Sequence, residues 1–185
     1  MASRIGILTA GNDVPGLNAA IRSIGKTAKD SNIEVIGFQD GFTGLIEDRF
    51  VHFLGTELSG ILTLGGTLLG TSQELPSNEK DTSVFIDLAC KMYKKHKLDG
   101  LVILGGAMMQ IGALLLSDAG LNVISLPKSI SNDLYGTDYT IGFDTALSVA
   151  SEAIDRLHST AHSHHRIIIV EILGRYSGWL TLGAG

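Results

Sequence analysis

The chain has 185 residues, 44% of them hydrophobic, and a formal net charge of −5. That suits one domain with a sizeable core. With no Lys/Arg run longer than Lys94-Lys95, it lacks the basic footprint of a binder of nucleic acid or anionic membrane. The single Cys90 excludes an internal disulfide, so a reduced, cytoplasmic setting is expected. No apolar run approaches the roughly 18 residues of a membrane span, and the N-terminus has no signal-peptide core.

In chain order, Arg4 to Thr9 reads as an apolar strand followed by the turn Ala10-Gly11-Asn12-Asp13. Pro15 suits the first turn of a helix, with Asp13 as expected N-cap. Leu17, Ala20, Ile21, Ile24 and Ala28 carry that helix to about Lys29 at helical spacing. Glu34 to Phe38 is a second strand, Gly41 to Leu45 a loop, and Phe50 to Leu54 a short strand. Ser59 to Leu64 leads into Gly65-Gly66-Thr67 and Gly70-Thr71-Ser72. Lys80 to His96 is an amphipathic helix and Leu98 to Leu104 a buried strand. After Gly105-Gly106, a helix runs from Met108 to Ala119. Asn122 to Leu126 is a strand that breaks at Pro127 into a polar run. Tyr139 to Ser163 is a long helix, Arg166 to Ile172 a buried strand, and Ser177 to Gly185 the start of another helix.

The strands are continuous apolar runs that alternate with helices. That is the pattern of an α/β fold, a mostly parallel sheet with helices on both faces in three layers. Three apolar segments ending in glycine, at Gly6 to Gly11, Gly60 to Gly66 and Gly100 to Gly106, are expected to lie in one sheet edge with three close-approach turns. Trp179, Leu180 and Leu182 at the end of the chain lack evident partners. The expectation is therefore the front part of a larger protein, or one that needs a partner.

The polar cluster Lys128, Ser129, Ser131, Asn132, Asp133, Thr137 and Asp138 follows a strand end, where open α/β sheets place ligands. The turn Gly11 to Gly16 is either an anion site at a helix N-terminus or a tight turn without ligand. The loop Gly65 to Ser72 is either a phosphate cradle or a plain loop. At Gly105-Gly106-Ala107-Met108-Met109, helix packing is the better reading, because the apolar residues give no oxygen to a metal. His158, His162, His164 and His165 are read as a solvated helix end, with no carboxylate or Cys to complete a metal set.

These motifs, taken in order, resemble 6-phosphofructokinases of bacterial type, dependent on ATP or pyrophosphate. Gly11-Asn12-Asp13-Val14-Pro15-Gly16-Leu17-Asn18-Ala19 is close to that family's Gly-Gly-Asp-x-Pro-Gly-x-Asn-Ala. Gly66-Thr67 with Gly70-Thr71-Ser72 resembles its glycine/threonine loop. Pro127 to Ala146 resembles Pro-Lys-Thr-Ile-Asp-Asn-Asp…Gly-Thr-Asp…Thr-x-Gly-Phe-Asp-Thr-Ala, and Val170 to Arg175 resembles Val-Glu-Val-Met-Gly-Arg. The resemblance implies a phosphofructokinase-like nucleotide-binding α/β domain at 1–140. Residues 141–185 would then be a crossover helix and the truncated beginning of a substrate domain. It also implies phosphoryl transfer from ATP or pyrophosphate, with Mg²⁺, to fructose 6-phosphate in glycolysis. The expected assembly is a homo-oligomer or a pairing with a paralogous subunit.

Carried over by position, the resemblance implies nucleotide or phosphate contacts at Gly11, Asn12, Gln73, Gly105, Gly106, Met108 and Met109. Sugar-phosphate contacts fall at Ser129, Asp133, Arg166, Leu173, Gly174 and Arg175, with Arg175 also catalytic. The departures fall on the chemistry. Ser131 stands at the base position, Ala107 where the metal-associated Asp belongs, Gln73 where a phosphate-clamping Arg belongs, and Asn12 where a glycine belongs. Loss of the base alone is expected to cost roughly 10²–10⁴ in rate, and loss of the Arg a further 10³ or so. Lys128 resembles pyrophosphate-using and mixed-type members, while Met108 matches neither donor class. The expectation is a family member with impaired or lost catalysis. The rivals are a non-catalytic sugar-phosphate-binding or regulatory subunit paired with an active paralogue, and a truncated remnant.

Overall fold

The computed structural model describes residues 3–53, 55–174 and 176–185. Five strands form one sheet in the order β3-β2-β1-β4-β5. They are β1 (Arg4–Ala10), β2 (Glu34–Phe38), β3 (Phe50–His52), β4 (Gly100–Gly105) and β5 (Val123–Pro127). All neighbours are parallel except β2 and β3, which pair antiparallel through Phe38 and Phe50. The helices are α1 (Leu17–Asp30), α2 (Gly41–Ile46), α3 (Glu79–Lys95), α4 (Ala107–Asp118), α5 (Phe143–His164) and α6 (Trp179–Ala184). This is the expected α/β arrangement of a mostly parallel sheet with helices on both faces.

Why the strands are apolar throughout follows from the pleat. Successive side chains point to opposite faces. Leu8, Ala10, Ile36, Phe38, Leu101 and Ile103 therefore enter one core with α2, α3 and α4, where Phe42, Phe85 and Met109 meet them. Ile7, Val35, Val102 and Leu104 enter a second core with α1, where Leu17 and Ile21 meet them. Full burial of each such aliphatic side chain is worth about 1.5–3 kcal/mol. A strand with two covered faces cannot alternate polar and apolar residues.

Four local expectations are corrected. Asp13 does not cap α1: the N-cap is Gly16, left-handed at φ 93° with no side-chain cap. Gly41 to Leu45 is helical, because Phe42 and Leu45 are buried in the core with α3 and tertiary packing overrides the two glycines. The segment around Ile61 is a 3-10 turn at Ile61–Thr63, outside the sheet, and packs against α1's core. Residues 166–172 join no strand of the sheet. Ile167 is 96% and Ile169 92% exposed, so the expected buried strand is absent among the described residues. Leu54, expected to close β3, lies outside the described residues.

Candidate functional site: three turns at the sheet switch point

From β1 the chain leaves through α1 to β2 on one side. It later returns through α3 to β4 on the other side. The order thus reverses between β1 and β4, and ligands of open α/β sheets bind outside the carboxyl ends of strands at such a point. The turns found there are Gly11-Asn12 after β1, Gly105-Gly106 before α4, and Lys128 after β5.

Gly11 has φ 87°, a region that L side chains rarely adopt. A Cβ placed on it would lie 3.1 Å from Met109 Cγ and 3.3 Å from Lys128 Nζ. The glycine therefore admits both side chains beneath the turn. Lys128 is only 2% exposed, and its Nζ donates to the Asn12 carbonyl. Its backbone N–H donates to the Gly105 carbonyl at 3.2 Å. One lysine thus ties the ends of β1, β4 and β5 together. Burial pushes its pKa below the ordinary lysine value, and the Asp13 carboxylate opposes that.

The glycine/threonine loop is laid over the end of β1. Gly11 N–H donates to the Ser72 carbonyl at 2.8 Å, and Thr71 Oγ1 to the Gly11 carbonyl at 2.5 Å. Thr9 Oγ1 donates to the Gly70 carbonyl at 2.6 Å. Asn18, buried in α1, holds the other end through Leu64, Gly65 and Leu68. This brings Gln73 to Asn12, with Gln73 Nε2 donating to Asn12 Oδ1.

The polar run after Lys128 folds back on itself. Ser129 N–H donates to the Ile141 carbonyl at 3.1 Å, and Ile141 N–H to the Pro127 carbonyl at 3.0 Å. Within it, Ser129 Oγ donates to Asp133 Oδ1 at 2.5 Å and accepts from Ser131 N–H at 3.1 Å. Asn132, left-handed at φ 50°, donates to the Asp138 carbonyl and accepts from Thr140 N–H, both at 2.9 Å. Ser177 Oγ donates to the Ser131 carbonyl at 2.7 Å, which ties the segment carrying Leu173 and Gly174 to this loop. Arg166 lies exposed just after α5. Arg175 lies outside the described residues.

At the start of α4, Ala107 and Met108 are exposed and Met109 is buried. Among the described residues, no group of three or more His, Cys, Asp or Glu is placed to hold a metal ion. A hard divalent cation such as Mg²⁺ wants oxygen ligands, and the first residues of α4 give it none. His158, His162, His164 and His165 are exposed at the end of α5. No described helix is long and apolar enough to cross a membrane. The residues that sequence reasoning undervalued are Lys128, placed in the polar cluster and compared for donor class but not expected as a buried tie, and the loop anchors Thr9 and Asn18. For Thr9 and Asn18 the one sequence signal is a polar side chain inside an apolar element, whereas Lys128 follows β5 at the start of the polar run.

The phosphofructokinase family model matches residues 4–185. The chain belongs to the phosphofructokinase family. It is 56% identical, over its whole length, to the ATP-dependent 6-phosphofructokinase of Propionibacterium freudenreichii subsp. shermanii, covering 51% of that protein. It is 50% identical over 97% of its length to the ATP-dependent 6-phosphofructokinase of Spirochaeta thermophila, again covering 51%. Among solved structures, phosphofructokinase from Saccharomyces cerevisiae superposes with a TM-score of 0.86 at 32% identity. That match covers 99% of this chain and 28% of the yeast chain. The chain thus spans about half the length of the curated relatives it matches.

Proposed function

We propose that this chain binds fructose 6-phosphate in the cytoplasm as a member of glycolysis, with phosphoryl transfer from ATP or pyrophosphate strongly reduced. Residues 1–140 form its nucleotide-binding part, and 141–185 lead into the substrate domain. The observation that carries the reading is the 128–141 loop. Its hydrogen-bonded frame is complete around Ser129 and Asp133, while Ser131 offers a hydroxyl where the chemistry wants a carboxylate base. Ser129, Asp133, Leu173, Gly174, Arg166 and Arg175 are the proposed sugar-phosphate contacts. Gly11, Asn12, Gln73, Gly105, Gly106, Met108 and Met109 are the proposed donor-side contacts. The family's Mg²⁺ is not assigned a place, since Ala107 and its neighbours offer no oxygen ligand.

A second reading, a binding subunit that pairs with an active paralogue, is favoured by the exposed Ile167, Ile169 and Leu173 beside Arg166. Thermal unfolding with fructose 6-phosphate, beside a coupled assay for fructose 1,6-bisphosphate, tests both. The expected outcome is a raised melting temperature with turnover at least about 10²-fold below an active relative. Turnover equal to an active relative would remove the proposed loss. No thermal shift would remove sugar-phosphate binding.

A further inference from the structure

The far end of α5 carries a pair of metal-ligating side chains that neither the two cores nor the polar loop employs. His158 and His162 both lie within α5, which runs to His164. Residues four apart on a helix share a face, one turn above the other. Both are exposed, and among the described residues neither ring takes part in a hydrogen bond, an ion pair or a ring contact. A neutral imidazole carries one lone pair able to bind a metal ion. Ser159, their neighbour on that face, is small, and its carbonyl is taken by Ser163 Oγ at 2.8 Å. Arg156 is paired with Glu152, which offsets its charge, and the C-terminal end of a helix favours a cation. His165 would follow on the same face of a continued helix, but it caps α5 in the left-handed conformation at φ 51°. Neither His165 nor Asp155, one turn before His158, completes a set of three ligands. The arrangement is thus an open two-nitrogen chelate and not a closed structural site. Imidazole nitrogen suits Zn²⁺ and Cu²⁺, whereas Mg²⁺ wants oxygen.

We propose that His158 and His162 chelate one divalent transition metal ion, Zn²⁺ or Cu²⁺, with water at its remaining positions. The ion staples the last turns of α5. His165 N–H donates to the His162 carbonyl at 3.3 Å and Arg166 N–H to the Ala161 carbonyl at 3.0 Å. The exit of the chain toward Arg166 therefore hangs on the turn that the ion holds. Binding releases water from the ion, and any proton from the two rings, and makes no covalent change in the chain.

Calorimetric titration of the full chain, without added histidines, with zinc chloride, copper(II) chloride and magnesium chloride tests this. Zinc is expected to bind one to one, copper(II) more tightly, and magnesium to give no such isotherm. His158→Ala and His162→Ala are each expected to weaken zinc binding by about tenfold or more. Both positions are exposed and alanine is the best helix former, so α5 survives either change. His164→Ala, off that face, is expected to change the zinc affinity by less than about twofold. In hydrogen exchange, zinc is expected to slow the amides of His165 and Arg166 in the parent and not in His162→Ala. Zinc binding that survives both single substitutions overturns the inference, as does a chain that binds neither zinc nor copper(II). A loss in His164→Ala as large as that in His162→Ala overturns the pairing. Zinc bound in the parent without slower exchange at His165 and Arg166 overturns the staple.

Discussion

The hydroxyl of Ser131 stays protonated near neutral pH and has little to offer as a general base. Its main chain is nonetheless fixed on both sides, by Ser129 Oγ at its amide and Ser177 Oγ at its carbonyl. A carboxylate placed there would inherit a defined position. Ser131→Asp is therefore expected to raise fructose 1,6-bisphosphate formation by about tenfold or more in the coupled assay. The gain stays below the full 10²–10⁴ of a general base, because Ala107 and Gln73 are unchanged and such groups act as a unit. A variant no faster than the parent would remove Ser131 from the base position. At this scale the sequence was informative where chemistry and chain position coincide, as in the run from Ser129 to Asp138. It was silent on Lys128 as a buried tie, because only the folded sheet brings residues 11, 106 and 128 together.

Between elements, the junction of α3 with the turn before β3 is held by charge and ring contacts together. Asp48 accepts from His96 Nε2 at 2.5 Å and from Lys95 Nζ. The His96 ring meets Phe50 edge-on at 4.5 Å and Phe38 at 5.9 Å. The hydrogen bonds from Lys95 and then His96 hold the Asp48 carboxyl below its usual value of 3.8. Because the folded pKa is the lower one, this stabilisation is complete above the unfolded value. It is lost as pH falls through the folded value, below about pH 4. Lys95 is half exposed, so screening limits the worth of the pairing to about 1 kcal/mol or less. Asp48 sits at φ 64°, a conformation that asparagine tolerates. Asp48→Asn is thus expected to lower the melting temperature at neutral pH by up to about 4 °C. The difference from the parent should shrink at acid pH, as pH falls below about 4. An equal difference at neutral and acid pH would show that charge does not act there. Long periodic elements such as α3 and β4 were legible in the sequence, since periodicity and burial agree. Segment 41–46 was not, since its two glycines argue for a loop and only the contact of Phe42 with Phe85 decides for a helix.

At the scale of the whole molecule, the two cores are closed around β1 and β4, whereas the last part of the chain is not covered. Ile167, Ile169, Leu173, Tyr176, Trp179 and Leu182 are all more than half exposed. Leu180 alone in α6 is buried, and Gly183 meets Leu147 of α5. The apolar run 167–172 was legible as buried material, but burial needs a partner surface, and the described residues do not cover it. Contiguous exposed apolar surface of this kind marks a contact site. The chain is therefore expected to self-associate, its sedimentation coefficient rising with concentration. Because Ile167 and Ile169 are 96% and 92% exposed, replacing both by lysine removes apolar surface without opening a cavity. Ile167→Lys with Ile169→Lys should suppress the concentration dependence while shifting unfolding stability by no more than about 0.5 kcal/mol per site. Unchanged self-association would move the contact surface elsewhere. A loss of several kcal/mol would show that residues 167–172 are packed within the chain after all.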